Sequence, residues 1–314
     1  MKRIFVLYTG GTIGMRQTPS GLAPDTALVE TALTPFGRRA RFHWHVCRPL
    51  IDSAALSPAH WAEWLQILGH ALPDCDGILL LHGTDTLAYT ANLLALAFDN
   101  RHKPVVLTGS QRPYSQTGSD APHNLHTAVS ALLRHDVHET LIAFNGQLFP
   151  AVGSSKCSTE TAAGFDNPHF GSWQPGRPAA SLDPLPKRFD PHACVGHHRL
   201  VPGCNSTMIA HNLSHFPQQA AVLHSYGHGN APDDEALLAA VRRFTEERLL
   251  LNISQVPHGR ADGSYAQSSP LSAAGATAGG RCNTETATVL MMLAAANRWQ
   301  KADLRQALQQ LGLL

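Results

Sequence analysis

Three strand-length apolar runs in this chain end the same way, in glycine and hydroxyl side chains. Ile4-Phe5-Val6-Leu7-Tyr8 runs into Thr9-Gly10-Gly11-Thr12-Ile13-Gly14, Leu79-Leu80-Leu81 into His82-Gly83-Thr84-Asp85-Thr86, and Val105-Val106-Leu107 into Thr108-Gly109-Ser110. Nearly continuous apolar strands alternating with helical patterns argue for an α/β fold with a mostly parallel sheet covered on both faces. In such a sheet ligands occupy the crevice outside the carboxyl ends of the strands. Glycine lets the backbone turn sharply and approach a ligand closely. One such ending is an ordinary tight turn; its recurrence makes the strand ends a candidate site.

The bulk numbers narrow the class of protein. At 314 residues the chain is long for one core, so one large or two unequal domains are expected. A content of 43% hydrophobic and 15% charged residues describes a globular chain, and a net charge of +1 gives no electrostatic reason to expect nucleic acid or an anionic membrane as a partner. No run approaches the 18 or so apolar residues of a membrane span. Met1-Lys2-Arg3 precedes an apolar run that breaks at Thr9, too soon for a secretory segment, and no small-residue cleavage pattern follows. Cys47, Cys75, Cys157, Cys194, Cys204 and Cys282 are scattered without a CxxC pair, which favours free thiols and a cytoplasmic location. The 19 histidines make a dependence on pH near neutrality worth testing.

Read in order, residues 15–26 are polar and turn-rich and begin where a mobile flap over a site would begin. Residues 25–33 read as a short helix and 42–47 as a second strand. Ser57 followed by Pro58 is a helix start, and Trp61, Trp64, Leu65 and Leu68 recur at one-face spacing, so the tryptophans read as packing residues. Strands are expected over 76–81, 103–108 and 139–144, with helices over 87–98 and 125–133. Residues 148–156 fit a hairpin or a short crossover equally well. Proline and glycine crowd 168–196, and the domain boundary is expected near Lys187 to His197, dividing a large N-terminal catalytic α/β domain (1–190, with the linker at its end) from a smaller C-terminal α/β domain (191–314). There, 221–225 and 249–253 read as strands. Helices are expected over 233–248, 286–299 and 302–311, with Asp233 and Asp234 complementing the dipole of the first.

Familiar catalytic motifs are missing. The first glycine turn has neither the Gly-Lys-Ser/Thr of a phosphate loop nor the three spaced glycines of a dinucleotide site. No G-x-S-x-G or H-E-x-x-H occurs, and His197-His198 reads as surface imidazole before metal ligand. What remains near the strand ends is Thr9, Thr12, Thr84, Asp85, Ser110 and Lys156. A threonine hydroxyl needs a neighbouring base to become a nucleophile. A lysine serves as that base once its pKa is lowered. A carboxylate beside them could grip an ammonium group. On residues alone each has a bland alternative: Thr84 or Asp85 capping the next helix, Lys156 as a surface lysine.

Tyr8-Thr9-Gly10-Gly11-Thr12-Ile13-Gly14-Met15 and Leu80-Leu81-His82-Gly83-Thr84-Asp85-Thr86 resemble the two signature segments of the bacterial asparaginase/glutaminase family. Residues 106–113 with 120–125, and Ser225-Tyr226-Gly227-His228-Gly229-Asn230-Ala231-Pro232, are similar to further segments of that family, so the resemblance spans essentially the whole chain. It implies two α/β domains and hydrolysis of L-asparagine to L-aspartate and ammonia without a metal or organic cofactor. It also implies the cytoplasmic type I branch and assembly as a homodimer or homotetramer. Carried over by position, Thr12 would be the nucleophile forming an acyl-enzyme, and Thr84 with Lys156 the hydroxyl–ammonium pair that moves protons. Asp85 would hold the substrate's α-amino group and Asp52-Ser53 its α-carboxylate side. Gly83 would line the substrate, and backbone N–H groups near Gly11 and Thr84 would meet the oxyanion.

The chain departs from the family on the flap. Where a tyrosine usually stands in a Gly-Tyr-Ile-Pro-like segment, this chain has Gly21-Leu22-Ala23-Pro24, and leucine exchanges no proton. Alanine also follows Ser53, removing one polar group. These departures bear on rate and specificity more than on reaction class. They leave open a glutaminase or other side-chain amidohydrolase, and a homologue that binds an amino acid without turnover.

Overall fold

The structure is a computed structural model that describes residues 1–18, 21–177, 179–203, 205–262 and 270–314. Pro19 and Ser20 of the flap, Cys204, and the side chain of Leu22 lie outside the described residues. The chain divides into two compact units, Met1–Ala179 and Ala180–Leu314.

In the first unit β1 (Lys2–Gly10) is followed by the short hairpin β2 (Met15–Thr18) and β3 (Gly21–Pro24), α1 (Thr26–Leu33), and β4 (Ala40–Ile51). Next come α2 (Pro58–Ala71), β5 (Gly77–Leu81), α3 (Leu87–Ala97), β6 (Val105–Thr108), α4 (Ala121–Leu133), β7 (Thr140–Phe144) and β8 (Gln147–Pro150). The small pair β9 (Ser155–Lys156) and β10 (Phe165–Asp166) closes the series. The main sheet runs β4-β1-β5-β6-β7-β8, parallel except for the last pair. Among the parallel strands the chain order is therefore 2-1-3-4-5, and the topological switch point lies between β1 and β5. The two carboxyl ends that face each other there are Thr9–Thr12 and His82–Thr86.

Both faces of this sheet are covered. Ile4, Val6, Tyr8, Leu79, Leu81 and Val106 share one core with residues of α1 and α4, and α3 packs on β6 and β7. Every residue of β5, β6 and β7 is buried, which is why these segments read as unbroken apolar runs. The open question at 148–156 is settled by Asn145 and Gly146, both at positive φ, which turn β8 back antiparallel to β7. The expected helix at 125–133 begins earlier, at Ala121, with Pro122 in its first turn.

In the second unit β11 (Val195–Arg199), α5 (Asn205–His215), β12 (Ala220–Ser225), α6 (Glu235–Glu247), β13 (Leu249–Ser254), α7 (Pro270–Ala273) and β14 (Thr277–Ala278) lead to α8 (Thr284–Asn297) and α9 (Lys301–Gln310). The sheet β11-β12-β13-β14 is parallel throughout. α8 packs on β11, β12 and β13, while α5 and α6 pack on each other. The sequence reading anticipated neither β11 nor α5, because β11 carries His-His-Arg and α5 is polar on most of its turns.

Residues 180–190, expected to end the first domain, group instead with the second unit. Leu182 and Leu185 are buried. The carbonyl of Pro186 accepts from Trp299 Nε1 at 2.8 Å, that of Asp183 accepts from Gln310 Nε2 at 2.6 Å, and Arg188 N donates to Asn297 Oδ1. These anchors lie more than a hundred residues away, beyond the reach of a local composition argument.

Candidate functional site

At the switch point of the first sheet, backbone closeness replaces side-chain bulk. Thr9 Oγ1 donates to Leu81 O at 3.0 Å and locks the end of β1 to the end of β5. Gly11, at φ 93°, lies so near the second strand end that an added Cβ would stand 2.5 Å from Gly83 N and 2.6 Å from Gly83 Cα. A Cβ on Gly83 would in turn collide with Ser53 Oγ, and one on Gly109 with His82 O. The glycines at 11 and 83 are thus required by close approach as well as by turn geometry. Thr12 and Thr84 each follow one member of this touching pair, which brings two hydroxyl-bearing residues to the same point from different strands.

Thr12 opens a short 3-10 turn over Thr12–Gly14 and is partly accessible. Thr84 and Asp85 stand in the turn between β5 and α3. Lys156 reaches them from β9: its Nζ donates to Thr84 Oγ1 at 2.8 Å and to Asp85 Oδ1 at 2.7 Å. The lysine side chain is 16% exposed and that of Asp85 57%, so the ion pair lies at the mouth of the crevice with its carboxylate toward solvent. Behind the lysine, the buried Asn167 side chain holds the loop in place, donating through Nδ2 to Pro150 O, Val152 O and Ser154 Oγ. Ser53, also buried, opens a 3-10 turn capped by Asp52 Oδ1, which accepts from Ala54 N at 3.0 Å. Thr86 Oγ1 donates to Ser53 O at 2.8 Å and fastens that turn to the β5 end.

Thr12, Thr84, Lys156, Asp85, Ser53 and Gly83 accordingly belong to one neighbourhood of the first unit, with the exposed Asp52 beside Ser53. The two other hydroxyls singled out in the sequence are occupied structurally. Thr9 bonds across the sheet, and Ser110 Oγ donates to Arg112 O at 2.5 Å. Asn124, inside α4, ties the neighbouring strand ends together by donating to Gly109 O and accepting from Asn145 N. In the second unit His197 and His198 alternate across β11. His197 Nδ1 lies 3.1 Å from His224 Nε2, whereas His198 faces Gln218. Among the described residues no group of three or more His, Cys, Asp or Glu could hold a metal. The five described cysteines are free.

From its spacing Trp61 reads as a packing residue alone, and the sequence reading gives His82 and Thr90 no role of their own. The His82 ring is buried, with Nδ1 2.7 Å from Gly83 O and Nε2 3.0 Å from Thr90 Oγ1, and Trp61 Nε1 donates to the same Thr90 oxygen at 2.9 Å. Burial pulls the His82 pKa down to about 4, the bond to Gly83 O opposing, so the ring is neutral at physiological pH. The available signal was a hydroxyl in the middle of an apolar helix, Thr90 among Leu87, Ala88, Ala91 and Leu93.

The asparaginase N-terminal family model matches residues 3–176, and the glutaminase/asparaginase C-terminal domain model matches residues 195–308. L-asparaginase 1 of Escherichia coli K12 is 28% identical over 98% of this chain and 96% of its own length. The crystal structure of L-asparaginase I from Vibrio cholerae superposes with a TM-score of 0.82 at 27% identity, covering 100% of this chain and 99% of that one. The thermostable L-asparaginase from Thermococcus kodakarensis gives the same TM-score at 26% identity over 99% of both chains.

Proposed function

The chain belongs to the asparaginase family of amidohydrolases, and from that premise we propose that it hydrolyses L-asparagine to L-aspartate and ammonia through an acyl-enzyme on Thr12. The observation that carries the reading is the bridge from Lys156 Nζ to Thr84 Oγ1 and Asp85 Oδ1 beside the touching glycines 11 and 83. Thr12 Oγ1 attacks the side-chain amide carbon as its proton is relayed through the Thr84–Lys156 pair to the amide nitrogen. The C–N bond then breaks and ammonia leaves. Water attacks the ester as the same pair relays one of its protons back to Thr12 Oγ1, and aspartate departs.

Substrate binding follows from charge. The outer oxygen of Asp85 takes the α-ammonium while its other oxygen keeps Lys156 in place. Ser53 supplies a hydroxyl on the α-carboxylate side, with Asp52 holding the turn that presents it. Gly83 leaves room for the substrate backbone, and N–H groups near Gly11 and Thr84 receive the oxyanion. The same reading extends to a cytoplasmic homodimer or homotetramer.

Purified protein is expected to release ammonia from L-asparagine faster than from L-glutamine. Thr12→Ala is expected to lower kcat by about 10³-fold or more, the order lost when a covalent nucleophile is removed, with an unchanged circular dichroism spectrum. Ammonia from neither amide would overturn the function; a fully active Thr12→Ala would overturn the nucleophile; a preference for glutamine would transfer the assignment to a glutaminase.

A further inference from the structure

Below the Gly83–Thr84 peptide lies a line of polar side chains that the reaction above does not use. Trp61 Nε1, from α2, donates to Thr90 Oγ1 of α3 at 2.9 Å. That oxygen stands 3.0 Å from His82 Nε2, and His82 Nδ1 stands 2.7 Å from Gly83 O. All four groups are enclosed, and the Trp64 ring packs edge-on against the imidazole with centroids 5.5 Å apart.

Donor and acceptor capacities assign every proton. A carbonyl oxygen only accepts, so Nδ1 carries the hydrogen. The neutral ring then offers a lone pair at Nε2, which accepts the Thr90 hydroxyl, and the Thr90 oxygen is left to accept from the indole, which only donates. The carbonyl end fixes the tautomer, and the indole end is compatible with it, since a hydroxyl with one hydrogen and two lone pairs can donate to Nε2 while accepting from Nε1–H. The peptide after Gly83 is planar and trans, so a carbonyl held toward His82 sends the Thr84 N–H in the opposite direction, away from the buried ring. A hydrogen bond accepted at the carbonyl of an amide also makes its N–H a stronger donor.

We propose that His82, set by Thr90 and Trp61, is a positioning residue that aims and polarises the Gly83–Thr84 peptide, so that Thr84 N–H meets the carbonyl oxygen of the amide under attack. This rests on the amidohydrolase reading above. The cost of burying three polar groups supports a functional role, since an apolar set of the same volume would stabilise the seam at least as well.

The test uses the full-length protein and two readouts. The first is ammonia release from L-asparagine by wild type, Thr90→Val, Thr90→Ser, His82→Leu and His82→Asn. Thr90→Val is expected to lower kcat by about 10-fold and His82→Leu by about 100-fold, the range for an oxyanion donor lost in part or whole, with KM changing less than about three-fold. Thr90→Ser keeps the hydroxyl, and His82→Asn places an amide nitrogen where Nδ1 stood; each is expected to recover most of kcat. Values of kcat within about two-fold of wild type in both Thr90→Val and His82→Leu, or losses in the two conservative variants equal to those in the disruptive ones, would overturn the proposal.

The second readout is the long-range proton–nitrogen spectrum of histidine-labelled protein, with the His82 signals identified by their loss in His82→Asn. A neutral ring protonated on Nδ1 is expected, and an Nε2–H ring or an imidazolium at pH 7 overturns the proposal. If wild type leaves asparagine and glutamine intact, the function falls, while the tautomer still decides the positioning.

Discussion

Tyr8 shows how closely the strand end carrying the proposed nucleophile is fitted. Its side chain is fully buried in β1, and its hydroxyl has no hydrogen-bond partner among the described residues. Burial, with the Asp25 carboxylate adding to it, raises the phenol pKa to about 12, so the group is neutral throughout the physiological range. The ring lies against Gly14, the last residue of the Thr12 turn, where any Cβ would collide with the phenol oxygen. A desolvated hydroxyl without a partner destabilises the fold. Tyr8→Phe is therefore expected to raise unfolding free energy by about 1 kcal/mol without changing turnover, as read by urea denaturation. A loss of stability would show that the hydroxyl has a partner in solution. The glycine and hydroxyl residues of these turns were legible in the chain because their demands are local. The fit of Tyr8 against Gly14 was not, since it depends on how the turn folds back over its own strand.

Among the elements, the short pair β9–β10 carries the consequence most out of proportion to its length. Two residues pair with two, Ser155 with Asp166 and Lys156 with Phe165, and so small a ladder is marginal alone. Asn167, directly after β10, supplies what the ladder lacks: its side chain donates to two backbone carbonyls and Ser154 Oγ, and accepts from Phe170 N at 3.1 Å. Phe165 adds a ring contact with Phe144 at 4.8 Å. Asn167→Asp replaces the donating amide with acceptors facing carbonyl oxygens. It is expected to cost about 3 kcal/mol of stability, the upper end for a buried group left unsatisfied, and to lower kcat by moving Lys156. Denaturant titration and ammonia release check both, and a variant as stable and as active as wild type would refute the anchoring role. The lysine was visible in the sequence as a candidate; the element that aims it was not, because a two-residue strand leaves no periodicity to read.

At the scale of the whole molecule, acid is expected to weaken both units through buried neutral histidines. His82 in the first unit and His224 in the second are each pulled to about 4, burial being the first cause in both and the nearby Arg199 charge adding to it for His224. Above the ordinary value near 6.5 these rings are neutral folded or unfolded, so they add no pH dependence. Between about 6.5 and 4 the unfolded chain takes up protons that the native state refuses, and stability falls as pH falls. For the enclosed His82 this amounts to about 3 kcal/mol by pH 4. Asp76, held down by the Arg3 backbone N–H, and Asp234, held down by the Ser206 hydroxyl, act in the same direction below the usual carboxylate range. The melting temperature is expected to be flat from pH 8 to 7 and to decline from about pH 6.5. A curve with no slope between pH 6.5 and 5 would refute the assignment. Apart from this, no described helix is long and apolar enough to cross a membrane.

By itself the sequence determined the α/β class, the apolar strands and the chemical character of their ends, because each follows from short-range requirements. Strands buried on both faces must be apolar along their length, and turns that approach one another must be glycine. Only the tertiary structure decided which ends meet. The order β4-β1-β5 sets Gly11 against Gly83 with Ser53 behind, and β9 brings Lys156 to Thr84 across 72 positions of chain. It also gave Trp61, read from its spacing as an apolar packing residue, a hydrogen bond through Thr90 to His82, and it assigned residues 180–190 to the second unit. Those contacts join residues far apart in the chain, and no local pattern of hydrophobicity, capping or turn chemistry encodes the partner at the other end.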